Sequence, residues 1–293
     1  MHAIVAAQRT PTNHALGSRG GGREHWRVLS PAEALAVMRP GDVALGRLDV
    51  LETLDGVDDG LWALGELEAR GVRVLNGAGT LLATHDKLLT ARLLHGAGLP
   101  HPRTTHHGRS SGLVRSGRTG PLVVKPRFGS WGRDVVRCET PLELENHLEL
   151  IRDRPWFRCH GALIQDLVDP RGYDLRLVVA GDRVVGSIMR VAREGEWRTN
   201  VALGATRLPT EPPVQAQELA LAAAATVGAS LVGVDLLPDG RGGWTILELN
   251  GAVEFTDEYS LGQNVFTATV FELSRHADAL QDGGVPRRPA AVT

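Results

Sequence analysis

Cysteine is nearly absent from the sequence: Cys138 and Cys159 are the only two in a chain of 293 residues. They share no short spacing with each other or with a histidine, so the pattern predicts neither a disulfide framework nor a zinc site. Two unpaired cysteines suit a reducing compartment, and we therefore expect a cytoplasmic protein.

An excess of charge of one sign is also absent. The 32 Lys and Arg residues against 34 Asp and Glu leave a formal net charge of -2, so no basic field attracts nucleic acid or an anionic membrane. The longest apolar run, LALAAAATV at Leu219–Val227, is far shorter than the roughly 20 residues that span a bilayer. We expect a soluble protein without nucleic-acid or membrane partners, and Met1 to Gln8 is too short for a signal peptide.

Strand and helix patterns alternate over residues 1–83, which predicts a small parallel α/β unit. A helix over GLWALGELEAR is expected to be capped by Asp58 or Asp59, to end before Gly71 and to place Trp62 in the core. The glycines of the stretch 17–22 lack the spacing of a dinucleotide fingerprint, so a flexible loop is the favoured interpretation.

A second unit begins near Thr84, which is expected to cap a helix from Asp86 to Gly96. It continues with the strands LVVK, VVRC and ALIQDLV. A third unit contains two hairpins, the first of which turns at Gly181 and Asp182. The tail 282–293 is expected to be disordered.

The strand WTILELNGAVEF carries Glu248 and Asn250, which the two-residue period of a strand aims at one face. Asp235 lies on the preceding strand of the same hairpin and can pair beside Glu248. Two adjacent carboxylates repel each other, and a divalent cation removes that cost. Oxygen-only ligands select a hard ion such as Mg²⁺. An isolated Glu-x-Asn at a strand end is more often solvent-exposed, and Asp235 shifts that balance toward a metal site.

Lys125 ends an apolar strand and precedes the glycine loop FGSWGRD. Alone, such a lysine is more often an edge residue with its ammonium in water than a phosphate ligand. Gly129 and Gly132, however, allow backbone N–H groups to approach an anion. The loop lacks G-K-[ST] and is not a P-loop, so it suggests a lid that closes over a triphosphate.

Seven motifs occur in order between about Leu75 and Phe255: THDKLLTARLLHGAGLPHPRT, VVKPRFGSWGRDV, LIQDLV, GYDLRLVV, GEWRTN, GVDLL and LELNG. Each is weak alone, and the ordered series resembles the ATP-grasp superfamily. More narrowly, it resembles the ligases that include the ribosomal-protein glutamate ligase RimK and the lysine-biosynthesis enzyme LysX. The resemblance implies an α/β (α+β) ATP-grasp fold with an N-terminal α/β domain at 1–83. Two lobes that clasp ATP follow, a central lobe at 84–168 and a C-terminal lobe with the metal site at 169–281.

The resemblance also implies roles for individual residues. Nucleotide contacts are expected from Lys87, Lys125, Gly129, Ser130, Gly132, Asp166, Leu167, Asp174, Arg198, Thr199 and Asn200. Asp235, Glu248 and Asn250 match the ligands of Mg²⁺, with Mn²⁺ as the alternative metal, and Lys125, Arg176 and Arg198 match the catalytic cations. The resemblance also implies that Arg176 and Arg190 face the reacting acyl phosphate. For Arg190, an ordinary cross-strand charge pair is nearly as good an interpretation as this role.

The implied reaction is carboxylate–amine ligation, in which ATP phosphorylates a carboxylate and an amine attacks the acyl phosphate. The resemblance implies an amino acid, a peptide or a carrier-protein terminus as substrate, and a homo-oligomeric assembly. A γ-glutamyl or dipeptide ligase of small molecules is the alternative, and a small-molecule kinase is a further one. The histidines His101, His106 and His107 lack helical spacing and predict a solvated connector rather than a metal site. Trp131 is placed to cover a substrate.

Overall fold

The computed structural model describes residues 1–19, 25–109, 111 and 120–281, and the strands within these ranges form three sheets. The tail 282–293 and residues 20–22 of the glycine-rich stretch, both interpreted above, lie outside the described residues. Across the described ranges, no helix is long and apolar enough to cross a membrane.

The N-terminal unit is a four-stranded parallel sheet flanked by helices. Its strands are β1 His2–Val5, β2 Trp26–Leu29, β3 Val43–Gly46 and β4 Arg73–Leu75, and its helices are α1 Pro11–Ser18, α2 Pro31–Val37 and α3 Leu61–Ala69. The strand order β2-β1-β3-β4 is parallel throughout. The prediction of a small parallel α/β unit is confirmed.

The ends of α3 differ in part from the prediction. The helix starts after Gly60, which has φ +120° and offers no side-chain cap. The predicted cap was wrong because the carboxylate of Asp58 accepts a hydrogen bond from the backbone N–H of Asp49 instead, at 3.1 Å. Gly71 follows the helix at φ +85°, as predicted. Trp62 was wrongly placed in the core: it is 69% exposed, because the helix buries its opposite face.

Two short helices, α4 Ala78–His85 and α5 Lys87–Gly96, join the N-terminal unit to the rest of the chain. The predicted cap Thr84 was wrong. Thr84 lies inside α4, where its hydroxyl donates to the carbonyl of Leu81 at 3.0 Å. The cap is Asp86, whose carboxylate accepts from the backbone N–H groups of Leu88 and Leu89. This cap fixes Lys87 at the first turn of α5.

The central sheet is antiparallel, with strands β5 Thr104–His107, β6 Leu122–Pro126, β7 Val136–Cys138 and β8 Ala162–Asp166. Their order is β5-β8-β6-β7. Helices α6 Pro141–Ile151 and α7 Pro155–His160 bury Leu144, Trp156 and Phe157 against this sheet. Lys125 and Gln165 lie on the opposite face of the sheet, because they alternate with the apolar residues of β6 and β8 that face the helices.

The third sheet has five antiparallel strands: β9 Tyr173–Ala180, β10 Arg183–Val191, β11 Thr206–Pro209, β12 Leu231–Pro238 and β13 Trp244–Asn250. Their order is β11-β10-β9-β12-β13, and the β9–β10 hairpin turns at Gly181 and Asp182 as predicted. Helix α8 Val214–Thr226 packs on one face. Helix α9 Val265–Gln281 shares a core with β9, β10 and the N-terminal sheet. The N-terminal unit is therefore fixed against the third sheet.

Candidate active site

A cavity of about 110 Å³ is bordered by the central sheet, the third sheet and the glycine loop. All predicted site residues except Arg176 and Asn250 line it: Lys87, Lys125, Gly129, Ser130, Gly132, Asp166, Leu167, Asp174, Arg198, Thr199, Asn200, Asp235 and Glu248. These residues span more than 150 positions of sequence, from Lys87 to Glu248. The fold thus collects nearly the whole predicted set at one place.

Lys125 is buried in the cavity wall, with only 6% of its surface exposed. Its ammonium donates to Oε1 of Gln165 at 2.8 Å, and the Gln165 amide donates to the hydroxyl of Thr104 at 2.7 Å. Burial, together with the nearby charge of Lys87, lowers the pKa of Lys125 to about 8. Within the described residues this ammonium forms no ion pair with a carboxylate, so it is suited to pairing with an anionic ligand.

Lys87 connects the glycine loop to the third sheet. Its ammonium donates to the carbonyl of Gly129 and forms an ion pair with Oε1 of Glu248 at 2.8 Å. The cap at Asp86 orients it, and the Asp86 carboxylate is in turn held by Arg127. Lys87 therefore lies between the loop and one of the predicted metal ligands.

The glycine loop is held over the cavity by Arg198. Nη1 of Arg198 donates to the carbonyls of Gly132 and Val135, at 3.2 and 3.3 Å. Gly132 has φ +71°, and a Cβ atom on it would lie 2.8 Å from Oδ1 of Asn200. Only glycine therefore allows this approach of the loop to Asn200.

Two arginines and two acids form a buried chain across β9, β10 and β12. Arg176 donates two hydrogen bonds to Asp235, at 2.6 and 2.7 Å, and Arg190 donates a third at 2.8 Å. Arg190 also donates to Asp174 through Nε and Nη2, and the hydroxyl of Thr199 donates to the same carboxylate. Burial alone would raise the pKa of Asp235, but the guanidinium groups of Arg176 and Arg190 lower it below its usual value.

Two of the predicted metal ligands, Asp235 and Glu248, are cross-strand neighbours at one end of this chain, whereas Asn250 lies outside the cavity lining. Asp235 lies opposite Glu248 in the β12–β13 register, and Asn250 lies two residues beyond Glu248 on the same face. The Oδ1 atom of Asn250 is buried and has no hydrogen-bond partner in the described part of the chain. A pair of adjacent carboxylates, with an orphaned amide oxygen on the same face of the strand, is a donor set that fits a hard divalent cation.

The far end of the cavity is an apolar slot between Val123, Val168, Leu237 and Leu247. Asp166 and Leu167, for which the resemblance implies nucleotide contacts, also line the cavity. The backbone N–H of Leu167 donates to the carbonyl of Pro121 at 3.2 Å, so this N–H is engaged within the protein in the present conformation.

Residues 84–268 match the family described as the RimK-like ATP-grasp domain, which covers well over half of the chain. The chain belongs to this RimK-like ATP-grasp family.

Similar proteins carry ligase names. The α-aminoadipate–LysW ligase LysX of Saccharolobus solfataricus is 31% identical over 214 residues, which is 72% of this chain and 77% of that protein. The glutamate–LysW ligase ArgX of Sulfurisphaera tokodaii is 31% identical over 225 residues, which is 74% of this chain and 78% of that protein. The RimK-like chain is an ATP-dependent ligase that forms carbon–nitrogen bonds.

Solved structures share the fold. A RimK domain ATP-grasp protein of Sphaerobacter thermophilus aligns with a TM-score of 0.63 at 21% identity, over 93% of this chain and 98% of that one. The D-alanine–D-alanine ligase of Bacillus anthracis, complexed with ATP, aligns with a TM-score of 0.67 at 14% identity, over 97% and 99%. At these identities the likeness establishes the ATP-grasp fold alone.

The three histidines do not form the predicted solvated connector. His106 and His107 belong to the edge strand β5, and Nδ1 of His101 donates to the carbonyl of Ile246 at 2.9 Å. Burial lowers the pKa of His101 to about 4. Among the described residues, no group of three or more His, Cys, Asp or Glu side chains is positioned to hold a metal. Trp131 lies in the loop and is 51% exposed.

Sequence reasoning missed two partners of the RimK-like site, Gln165 and Glu196. Gln165 holds Lys125, and its signal was a polar residue within the buried strand ALIQD. Glu196 accepts two hydrogen bonds from Arg198, at 3.0 and 2.9 Å, and these contacts lower the pKa of Glu196 to about 2. Arg190, for which two interpretations were open, both pairs with acids and lines the cavity.

Proposed function

We propose that the protein joins a carboxylate to an amine through an acyl phosphate made from ATP. The observation that carries this proposal is the convergence of Lys87, Lys125, Arg190 and Arg198 on one cavity that also contains Asp235 and Glu248. Cations at one end of an apolar slot suit a triphosphate whose base lies in the slot. We propose the division into a domain at 1–83 and two clasping lobes at 84–168 and 169–281.

The chemistry has two steps. An oxygen of the substrate carboxylate attacks the γ-phosphorus and ADP leaves. The amine nitrogen then attacks the carbonyl carbon, inorganic phosphate leaves, and the nitrogen loses a proton. Lys125 and Arg198 offset the charge on the transferred phosphoryl group, while Arg176 acts by holding Asp235. We assign Asp174 to holding Arg190 and Thr199 rather than to the ribose, because these two residues already occupy its carboxylate.

Asp235, Glu248 and Asn250 would hold Mg²⁺, or Mn²⁺ in its place, and the ion would offset the negative charge of the phosphates. Glu248 now pairs with Lys87, and the Lys87 ammonium would be available to a phosphate if this ion pair opened. Lys87 also contacts Gly129, so a phosphate bound to Lys87 would be linked to the position of the loop. The loop would exclude water from the acyl phosphate.

The substrates are proposed from the names of similar proteins. LysX and ArgX are named for ligation to the carrier LysW, so an amino acid and a peptide or carrier-protein terminus are the leading pair. A tetrahydromethanopterin:α-L-glutamate ligase of Methanosarcina acetivorans is 30% identical over 227 residues, which keeps small-molecule ligation as the second candidate. ATP and a reducing milieu make the cytoplasm the expected compartment, and a homo-oligomer is the expected assembly.

The test is the dependence of ADP release on both substrates. Purified protein with Mg-ATP and panels of carboxylic acids and amines should release ADP and phosphate only when an acid and an amine are both present. Mass spectrometry should detect a product equal to their sum less one water. Phosphorylated product formed without any amine would instead assign a small-molecule kinase.

A further inference from the structure

A second cavity, of about 60 Å³, lies between the N-terminal unit and the segment that follows β13. Ser130, Trp131 and Arg133 of the glycine loop line both this cavity and the nucleotide cavity. The loop is therefore the shared wall of the two spaces. A molecule in the second cavity would lie next to the loop on the side opposite the nucleotide.

Arg47 is the buried cation of this second cavity. It directly follows β3, and 3% of its surface is exposed. Its Nε donates to Asn13, and its Nη2 donates to the carbonyl of Val253 at 2.8 Å and to Glu254 at 3.1 Å. Its Nη1 has no hydrogen-bond partner within the described ranges of the chain. A buried, unpaired N–H on a charged guanidinium is costly unless a ligand accepts from it.

Acids exceed bases around the second cavity. The lining contains the carboxylates of Asp49, Glu52, Asp58 and Glu254 against the guanidinium groups of Arg47 and Arg133. Burial raises the pKa of Asp49 and that of Asp58, because it removes water from the charged carboxylates. Keeping both carboxylates ionised therefore costs free energy. A ligand with a positive charge would relieve that cost, and one with an extra carboxylate would increase it.

We propose that the second cavity binds the amine substrate and selects a basic amino acid over a dicarboxylic one. The α-carboxylate of the ligand accepts from Nη1 of Arg47, and its positive groups lie among Asp49, Asp58 and Glu52. This inference rests on the proposed ligase function and narrows its substrate class. A preference for a basic amino acid would distinguish this chain from similar proteins whose names specify glutamate or α-aminoadipate.

The position of the cavity suits the reaction. Asp49 is close enough to Lys87 for the two charges to interact, and Lys87 contacts Glu248 at the phosphate end of the nucleotide cavity. An amine held at Asp49 would therefore lie at the Lys87 end of the second cavity, toward the phosphates. The raised pKa of Asp49 also suits a carboxylate that accepts the proton lost by the attacking nitrogen.

Direct binding tests this selection without a known carboxylate partner. Calorimetric titration of L-lysine, L-ornithine and L-arginine into the protein with Mg²⁺ and a non-hydrolysable ATP analogue should be compared with L-glutamate and L-2-aminoadipate. We expect at least one basic amino acid to bind about tenfold or more tightly than either dicarboxylic one, since like charges in a partly buried site repel strongly. Equal or tighter binding of glutamate, or no binding of any basic amino acid, overturns the inference.

Two aspartates give a matched pair of variants. Asp58→Asn removes one charge from the cavity wall and should weaken binding of the preferred basic amino acid about fivefold to tenfold. Asp59→Asn changes the neighbouring exposed residue, which lies outside the cavity lining, and should leave binding unchanged. Equal effects of the two changes would contradict the assignment.

The ligase function itself is judged separately. If ADP release requires an amine but glutamate is the amine that is used, the ligase stands and the selection for a basic amino acid fails. If basic amino acids bind but no amine changes ADP release, the selection stands and the ligase proposal fails. Melting temperatures of both variants establish that a change in binding does not come from loss of folding.

Discussion

The two cavities on either side of the glycine loop have opposite electrostatics. In the nucleotide cavity three of the predicted acids have cationic partners: Asp174 pairs with Arg190, Asp235 with two arginines, and Glu248 with Lys87. In the second cavity the carboxylate of Asp58 accepts from the backbone N–H of Asp49, and the backbone N–H of Asp58 donates to the carbonyl of Asp49. Arg47 pairs with Glu254. The first cavity thus has cations to offer to phosphates, whereas the second has carboxylates to offer to an amine.

A single loop can contact two substrates, because it borders both cavities. Residues 129–133 contact Lys87 and Arg198 on the nucleotide side, while Ser130, Trp131 and Arg133 face the second cavity. A loop held over the nucleotide side by Lys87 and Arg198 would shield an acyl phosphate from water while its other side faces the second cavity.

Glu248→Ala should reduce turnover about a thousandfold, since removal of one group that stabilises transition-state charge commonly costs a factor of that order. The fold should persist, because Glu248 lies at the edge strand β13 and is partly exposed. Steady-state ADP release measures the loss, and circular dichroism checks the fold. Amino-acid binding in the second cavity should survive the change, which distinguishes the two sides of the loop.

The control for this change is Glu211→Ala, at an exposed position on the segment before α8. It removes a carboxylate of the same kind far from both cavities, and turnover should stay within about twofold. A Glu248→Ala protein with normal rates would contradict the metal assignment. Loss of turnover in both variants would point to a general effect of lost charge.

Arg190→Met should lower the free energy of unfolding by about 3–5 kcal/mol, because it leaves the buried Asp174 without a cationic partner. Arg176→Met is the matched comparison. Asp235 would keep Arg190, and Arg176 is 17% exposed in its side chain, so the loss should be clearly smaller. Urea unfolding of the two variants measures both values. A larger loss for Arg176→Met would show that Asp235, rather than Asp174, depends most on its ion pairs.

The sequence predicted the nucleotide cavity far better than the second one. Asp235 and Glu248 belong to a hairpin, so strand period and register alone placed them side by side, as the structure confirms. The second cavity brings Arg47 against Val253 and Glu254, residues more than 200 positions apart whose contact depends on how the N-terminal unit packs. No local pattern predicts such packing, and the motifs that indicated the family begin after Arg47.

The errors had local causes. Asp58 has the residue type of a helix cap, and Thr84 does too, yet each found another hydrogen-bond partner. Capping preferences describe what a side chain can do next to a helix, and competing backbone groups decide whether it does so. Trp62 was misplaced because an apolar residue on a short helix can lie on either face when its neighbours are also apolar.

Gly132→Ala should reduce kcat/KM for ATP about tenfold. A Cβ atom there would lie 2.8 Å from Oδ1 of Asn200, and the residue sits at φ +71°, so the loop must move. Gly98→Ala is the control, because Gly98 has φ +70° with no atom near its Cβ position. It reproduces the backbone strain without the contact. Equal losses of activity in the two variants would mean that the approach to Asn200 is unimportant.

The pH dependence of kcat/KM for ATP should show the smallest effect. It concerns the nucleotide cavity alone. Burial lowers the pKa of Lys125 to about 8, so its ammonium is lost from the free enzyme as the pH rises through that value. We expect kcat/KM for ATP to fall about threefold to tenfold between pH 7 and pH 9, because this parameter reports the free enzyme. Lys125→Arg keeps its charge throughout this range, so its profile should be flat whatever its absolute rate. Binding of a basic amino acid would follow the carboxylates instead and stay constant over the same interval. A fall that persists in Lys125→Arg would assign the titration to another group and remove Lys125 from the phosphate contacts.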